Sequence, residues 1–89
     1  MYEVQRRAGH GQWETFGTFH WESDAWTEVI DKLMAMRRRR TAIFPEGHER
    51  VKAVDTAVKE CEDIRAGLTA SARIDVMGVQ FRVIMAQGV

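Results

Sequence analysis

The sequence has only one cysteine and one proline among its 89 residues. The lone cysteine, Cys61, excludes an internal disulfide and leaves too few thiols for a cysteine-based zinc site or a redox pair, so a reducing compartment is the simpler expectation. The lone proline, Pro45, disfavours helical geometry at Phe44 and therefore predicts a break between two helices.

Net charge is also absent, because 13 basic residues balance 13 acidic ones. A neutral chain has no overall field that would draw it to nucleic acid or to an anionic membrane, so any electrostatic attraction must come from a local cluster. No apolar run has the length of a signal peptide or the roughly 18 residues of a membrane span. We therefore expect a cytoplasmic protein that does not enter a membrane.

Hydrophobic residues, in contrast, make up 45% of the chain, and three tryptophans and four phenylalanines add large apolar side chains. This composition is typical of folded globular proteins rather than disordered ones. The sequence contains no internal repeat, low-complexity tract or linker-like segment. We therefore expect residues 1–89 to form a single domain.

The first 21 residues predict a β-hairpin. Tyr2–Ala8 and Trp13–Trp21 have the character of strands, and two glycines lie in the loop between them. Phe16 and Phe19 are three residues apart and so cannot face one side of a regular strand. We expect a bulge at Gly17 that brings both rings to the same face.

Two amphipathic helices are predicted next. Ser23 is the expected N-cap of the first, and the second is expected from about Glu46 to Ala66, with Gly67 as its C-terminal stop. The apolar stripe of the first helix consists of Trp26, Val29, Ile30, Leu33 and Met34. The stripe of the second consists of Val51, Val54, Ala57, Val58, Cys61 and Ile64.

A second hairpin is predicted around Met77 and Gly78. This pivot pairs apolar residues on one face, namely Val76 with Val79, Ile74 with Phe81 and Ala72 with Val83. The same register places Arg73 opposite Arg82 and Asp75 opposite Gln80. Methionine is a poor first turn residue, so a single strand with a bulge at Gly78 is the alternative. The expected fold is α+β, an antiparallel sheet of three or four strands with two helices on one face, in the order ββααβ(β).

The strongest anomaly is the run of four arginines, Arg37 to Arg40, at the end of the first helix. Cations at this end stabilise a helix, which gives the run a purely structural explanation. Helical geometry would point Arg37 and Arg40 towards the apolar side and Arg38 and Arg39 towards solvent. Burying Arg37 or Arg40 unpaired would be costly, so these two must extend their charged ends to solvent, leave the helix or meet acids. Those acids could belong to the second helix or to a partner, and phosphates would serve as well.

A partner-binding patch is therefore expected at the arginine run, with exposed aromatics beside it. Trp13 and Trp21 lie at strand ends and are the candidates, since tryptophan is enriched in interface hot spots. Trp26, within the apolar stripe, is expected in the core. The candidate partner-binding residues are Arg37, Arg38, Arg39, Arg40, Trp13 and Trp21.

The sequence contains no recognisable arrangement of metal-binding or catalytic residues. His10, His20 and His48 are scattered without metal-ligand spacing. Cys61 falls on an apolar stripe, where a cysteine behaves as a small buried hydrophobe. No acid and base occur in a recognisable catalytic setting. We therefore expect no enzyme activity, no metal and no cofactor, but a protein that acts through a binding surface.

In size and layout, the chain resembles small phage-encoded anti-defence proteins, including the anti-CRISPR group. The shared features are a compact sheet with helices and charged surfaces without catalytic groups, and they cover the whole chain. The resemblance implies a stoichiometric inhibitor that occludes a surface of a bacterial immune complex in the host cytoplasm. A protein partner with an acidic surface would suit the arginine run.

Residues Tyr2 to about Met34 also resemble the sheet-type DNA-binding arms of phage integrases, because a hairpin leads into a helix through Gly17-Thr18-Phe19. That resemblance implies a nucleic-acid-binding accessory protein. Its sheet face would place Arg6, Arg7, Arg73 and Arg82 along phosphates. A homodimer that uses an exposed aromatic sheet face is a further alternative.

Overall fold

The computed structural model describes residues 1–86 of the chain. Six elements follow one another: β1 (Tyr2–Ala8), β2 (Glu14–Phe19), α1 (Glu22–Thr41), α2 (Glu49–Arg65), β3 (Arg73–Val76) and β4 (Val79–Met85). The order ββααββ confirms the expected α+β class and includes the fourth strand.

The strands form one antiparallel sheet in the order β2-β1-β4-β3. The first and last strands of the chain are therefore central neighbours, paired from Tyr2 opposite Met85 to Ala8 opposite Val79. The two remaining strands, β2 and β3, form the edges. This arrangement brings side chains from both ends of the sequence onto the same part of the sheet.

The β3–β4 hairpin has the register that the sequence predicts. Val76 pairs with Val79 and Asp75 with Gln80. Met77 and Gly78 have φ angles of 50° and 91°, the pair of positive values that a tight two-residue hairpin turn requires. The Asp75 Oδ1 accepts a hydrogen bond from the Gly78 N–H at 3.2 Å. The hairpin interpretation is therefore confirmed over the single bulged strand.

The β1–β2 hairpin contains the expected bulge. Val4 pairs with Gly17 but Gln5 pairs with Thr15, so Phe16 is the extra residue on β2. A Cβ atom at Gly17 would lie only 3.2 Å from the ring of Phe19. The absence of a side chain there therefore permits the close approach of that ring.

Helix α1 begins two residues earlier than a Ser23 cap requires. Trp21 occupies the N-cap position and provides no side-chain hydrogen bond, so the prediction of Ser23 as the cap is wrong. The helix continues through the arginine run to Thr41, and its buried stripe extends with it. Met36 is only 6% exposed, whereas Met34 of the predicted stripe is 37% exposed.

Helix α2 begins three residues later than predicted, because residues 45–47 form the turn that precedes it. His48 caps the helix, with its Nδ1 atom accepting from the Arg50 N–H at 3.1 Å. At the other end Gly67 has φ of 77°, and the Gly67 and Leu68 N–H groups donate to the carbonyls of Ile64 and Asp63. The prediction of Gly67 as the stop is confirmed.

One hydrophobic cluster forms the core of the described part. It combines buried side chains of α1 and α2, Trp26 and Cys61 among them, with five residues of the sheet. Those sheet residues are Val4, Ile74, Val76, Phe81 and Val83. Burial raises the pKa of the Cys61 thiol to about 12, with the nearby carboxylates Glu60 and Glu62 adding to the shift. Over residues 1–86, no helix is long and apolar enough to cross a membrane.

Candidate binding face

The side of the sheet that faces away from the core carries mainly polar and charged side chains. Because side chains alternate along a strand, the buried residues Val4 and Phe81 determine which neighbours point away from the core. None of these neighbours is buried. They form what we call the open face: Glu3, Gln5, Arg7, Thr15, Thr18, Arg73, Asp75, Gln80, Arg82 and Ile84.

Two glutamines hold two arginines in place at the centre of the open face. The Arg7 Nε donates to the Gln80 Oε1 at 2.7 Å, and the Arg82 Nε donates to the Gln5 Oε1 at 2.7 Å. Both bonds join residues that the β1–β4 register places directly opposite each other. Each guanidinium is therefore fixed through its Nε atom.

The glutamine side chains are themselves fixed by further hydrogen bonds. The Gln80 amide donates to the Asp75 Oδ2 at 3.1 Å, and the Gln5 amide donates to the Thr15 Oγ1 at 3.2 Å. Because the Nε2 atom of each glutamine is directed to Asp75 or Thr15, its Oε1 atom is directed to the arginine. Hydrogen bonds from Gln80 and from the Gly78 backbone also lower the pKa of Asp75, because they stabilise its carboxylate form.

Trp13 lies against both arginines. Its ring centroid is 4.5 Å from the Arg7 Cζ and 4.0 Å from the Arg82 Cζ, distances typical of cation–π contacts. Trp13 directly precedes β2 and is half-buried. Arg7, Trp13 and Arg82 form a unit that we call the Arg-Trp cluster.

The arginines of the open face form no salt bridge within residues 1–86. None of the salt bridges in this part of the chain involves Arg7, Arg73 or Arg82. The face also carries Glu3 and Asp75, and the Asp75 carboxylate is bound by Gln80 and Gly78. Donor groups of the three guanidiniums are therefore available to an acceptor from outside the chain.

Arg6 lies on the other side of the sheet from Arg7. It pairs with the core residue Phe81, and its Cζ lies 5.9 Å from the ring centroid of Phe16. The prediction that Arg6 shares a face with Arg7, Arg73 and Arg82 is therefore wrong, because consecutive residues of a strand point to opposite faces. Lys32 of α1 also contacts Phe16, with its Nζ atom 5.3 Å from the ring centroid.

The arginine run at the end of α1 is divided between internal contacts and solvent. Arg37 donates to Asp55 at 2.6 Å and to Glu46 at 2.7 Å, and these hydrogen bonds raise its pKa. Arg40 donates to the Arg50 carbonyl at 2.7 Å, and desolvation by burial lowers its pKa. Arg38 and Arg39 are exposed, as helical geometry predicts. Arg37 and Arg40 therefore join the helices, and only Arg38 and Arg39 of the run remain free for a partner.

Neither candidate tryptophan lies beside that run. Trp13 lies against Arg7 and Arg82 of the open face, and Trp21, which is 65% exposed, precedes the first residue of α1. A helix rises about 1.5 Å per residue, which separates Trp21 from Arg37 by about 24 Å. The expectation that the tryptophans lie beside the arginine run is therefore wrong, and Trp13 contacts Arg7 and Arg82 instead.

The remaining candidates lie apart from the open face. His48 caps α2 and stacks on Phe44, and His20 contacts Trp21 edge-on. Residues 1–86 contain no group of three His, Cys, Asp or Glu side chains that could hold a metal ion. A surface cavity of about 730 Å³ is lined by Trp26, Leu68 and other residues near the start of α1 and the end of α2. None of the sequence-predicted site residues lines it.

No protein-family model, curated protein or solved structure matches this chain. A functional assignment must therefore come from the arrangement of its own side chains. The most organised polar arrangement on the surface is the Arg-Trp cluster with its two glutamines.

Proposed function

We propose that the chain is a non-enzymatic binding protein that recognises a partner protein through the open face. The observation that carries this proposal is the Arg-Trp cluster, in which Arg7 and Arg82 lie against Trp13 and are fixed by glutamines. Tryptophan and arginine are the residue types most enriched among interface hot spots. Side chains that are ordered before binding lose less conformational entropy when the partner arrives.

The charges of the open face favour a partner with an acidic surface. Three arginines lie on it, and no salt bridge within residues 1–86 neutralises them. Complementary charge accelerates association and discriminates against partners of the wrong sign. The arginines would then act as the polar anchors of the interface and Trp13 as its aromatic anchor.

Stoichiometric inhibition is the activity that we propose for this binding. The resemblance to phage anti-defence proteins implies an inhibitor that covers an acidic surface of a bacterial immune complex, CRISPR-Cas complexes included, within the host cytoplasm. Such inhibition requires a surface that competes for a site, and no catalytic group. The open face is large enough to contribute ten side chains to this contact.

Nucleic-acid binding through the same face is the second candidate. The observation in its favour is that Arg7, Arg73 and Arg82 lie together with an aromatic ring, and such surfaces contact phosphates and bases. The neutral chain predicts weak binding that falls as the salt concentration rises. A mobility shift at low salt that disappears in the R7Q/R82Q variant would support this candidate.

The test is capture of a partner from a bacterial lysate with two matched variants. R7Q/R82Q and R38Q/R39Q each remove two positive charges, so they change the net charge equally. We expect a protein captured in a 1:1 ratio, which R38Q/R39Q retains and R7Q/R82Q loses, and the same difference with the purified partner. Loss of binding in R38Q/R39Q alone would contradict the proposal and would show that the interface lies at the arginine run.

A further inference from the structure

We infer that Arg7 and Arg82 form a clamp for one carboxylate side chain of the partner. This inference rests on the proposed function and names the chemical group that the open face recognises. The Nε atom of each guanidinium is already bound to a glutamine, and within residues 1–86 the terminal Nη groups have no hydrogen-bond partner, so they are the donors left for a ligand. Arginine donors in pairs match the two oxygens of a carboxylate.

The two guanidiniums contact the same aromatic ring. Both Cζ atoms lie within 4.5 Å of the same Trp13 ring centroid, and both residues are half-buried. The ring removes part of the surrounding water, and a charge interaction is stronger where the local dielectric constant is lower. A single carboxylate between the two arginines would therefore meet more donors than at an isolated surface arginine.

The surroundings of the clamp favour a protein carboxylate over a nucleic-acid backbone. Glu3 and Asp75 also lie on the open face, and a row of phosphates across the sheet would pass close to them. Nucleic-acid affinity depends on many cations acting together, whereas the chain as a whole is neutral. One carboxylate needs only the local pair of arginines.

The glutamines act as positioning residues for the clamp. Gln5 and Gln80 bind the Nε atoms and are held by Thr15 and Asp75. Without these bonds each guanidinium would rotate on a flexible side chain and would lose entropy on binding. Replacement of both glutamines by leucine is therefore expected to weaken carboxylate binding while the charge of the face stays the same.

The experiment uses arginine side-chain NMR with a hexaglutamate peptide as the probe. Titration into the whole chain is expected to shift the Nε–H resonances of Arg7 and Arg82 and the indole resonance of Trp13, with little change at Arg38 and Arg39. Hexaglutamine is the neutral control. Equal shifts at all exposed arginines would overturn the clamp, and so would larger shifts at Arg7 and Arg82 with an oligonucleotide or inorganic phosphate.

A lysine variant separates the clamp from simple charge attraction. R7K/R82K keeps both charges but lacks the paired donors of arginine. Loss of the paired donors predicts peptide binding weaker by about tenfold or more. Unchanged affinity in R7K/R82K overturns the clamp even if R7Q/R82Q loses the captured partner. In that case the open face would still be the binding interface, so the clamp can be wrong while the proposed function is right.

Discussion

Met77 occupies a left-handed backbone conformation at the tip of the β3–β4 hairpin, with φ of 50°. Residues with a Cβ atom are disfavoured there, and asparagine tolerates the conformation better than methionine does. The side chain is 51% exposed, so it recovers little free energy from burial. The turn therefore contains a local strain that one substitution can relieve.

We expect M77N to raise the free energy of unfolding by about 0.5–1 kcal/mol, because it removes the backbone penalty at this position. Urea unfolding curves measure the gain in the free energy of unfolding, and the m-value is expected to stay unchanged. M77V is the control, since a β-branched residue suits the left-handed region least and should lower stability. A destabilised M77N would show that the methionine side chain makes a stabilising contact.

The buried Cys61 thiol predicts that the free energy of unfolding falls at alkaline pH. Burial raises its pKa from 9.0 to about 12, so the folded chain retains the thiol proton at a pH where the unfolded chain releases it. Its contribution to stability is complete below pH 9 and is lost as the pH rises from 9 to about 12. Unfolding of the wild type and C61A at pH 7 and 10 measures this contribution.

The expected result is a larger fall in stability between pH 7 and 10 for the wild type than for C61A. The folded wild type should also react slowly with a thiol reagent at pH 8 and rapidly in denaturant, because the thiolate is the reactive form. Rapid reaction of the folded chain would indicate that the helix α2 stripe opens readily.

Gln5 and Gln80 belong to the candidate site but could not be recognised from the sequence. Each orients an arginine, but a glutamine carries no charge and no motif that marks it in advance. Their role depends on the β1–β4 pairing, which joins the two ends of the chain. The pairing of Gln80 with Asp75 could be predicted from the local hairpin, whereas its bond with Arg7 could not.

At the scale of elements, α1 and α2 are joined at one end by charged contacts. Arg37 of α1 donates to Asp55 of α2 and to Glu46 in the turn before it. Arg38, the next residue, is exposed and forms no salt bridge within residues 1–86. The two residues differ in their contacts although the sequence gives them the same charge and nearly the same position.

We therefore expect R37A to lower the melting temperature more than R38A, because only the first substitution leaves carboxylates without their partner. Thermal unfolding by circular dichroism at low and high salt measures the difference. Salt should reduce it, since partly exposed ion pairs are screened. Equal melting temperatures for the two variants would show that the Arg37 contacts contribute nothing measurable to stability.

The elements themselves were predictable where the determining pattern is local. The β3–β4 register follows from the alternation of apolar and polar residues on either side of one turn. The bulge near Gly17 follows from two phenylalanines that are three residues apart and so cannot share a face of a regular strand. The cap of α1 was not predictable in this way, because Ser23 is a favourable capping residue but the helix already includes it. Helix α2 begins later than the sequence predicts because the turn after Pro45 extends to His48.

At the scale of the whole molecule, the chain is neutral but its arginines lie on several distinct surfaces. Arg7 and Arg82 lie with Trp13 on the open face, Arg6 lies with Phe16 on the other side of the sheet, and Arg38 lies at the end of α1. The composition shows only that these charges sum to zero. The candidate site could not be predicted as a unit, because Trp13 and Arg82 meet only through the strand order β2-β1-β4.

The most direct measurement of the proposed interface is cross-saturation NMR on the complex of this chain with its purified partner. Saturation of the partner should attenuate the resonances of the open face, with the Trp13 indole and the Arg7 and Arg82 side chains affected most. Arg38 and Arg39 serve as the internal comparison. Attenuation at those two arginines, with an unaffected Trp13 indole, would contradict recognition through the open face.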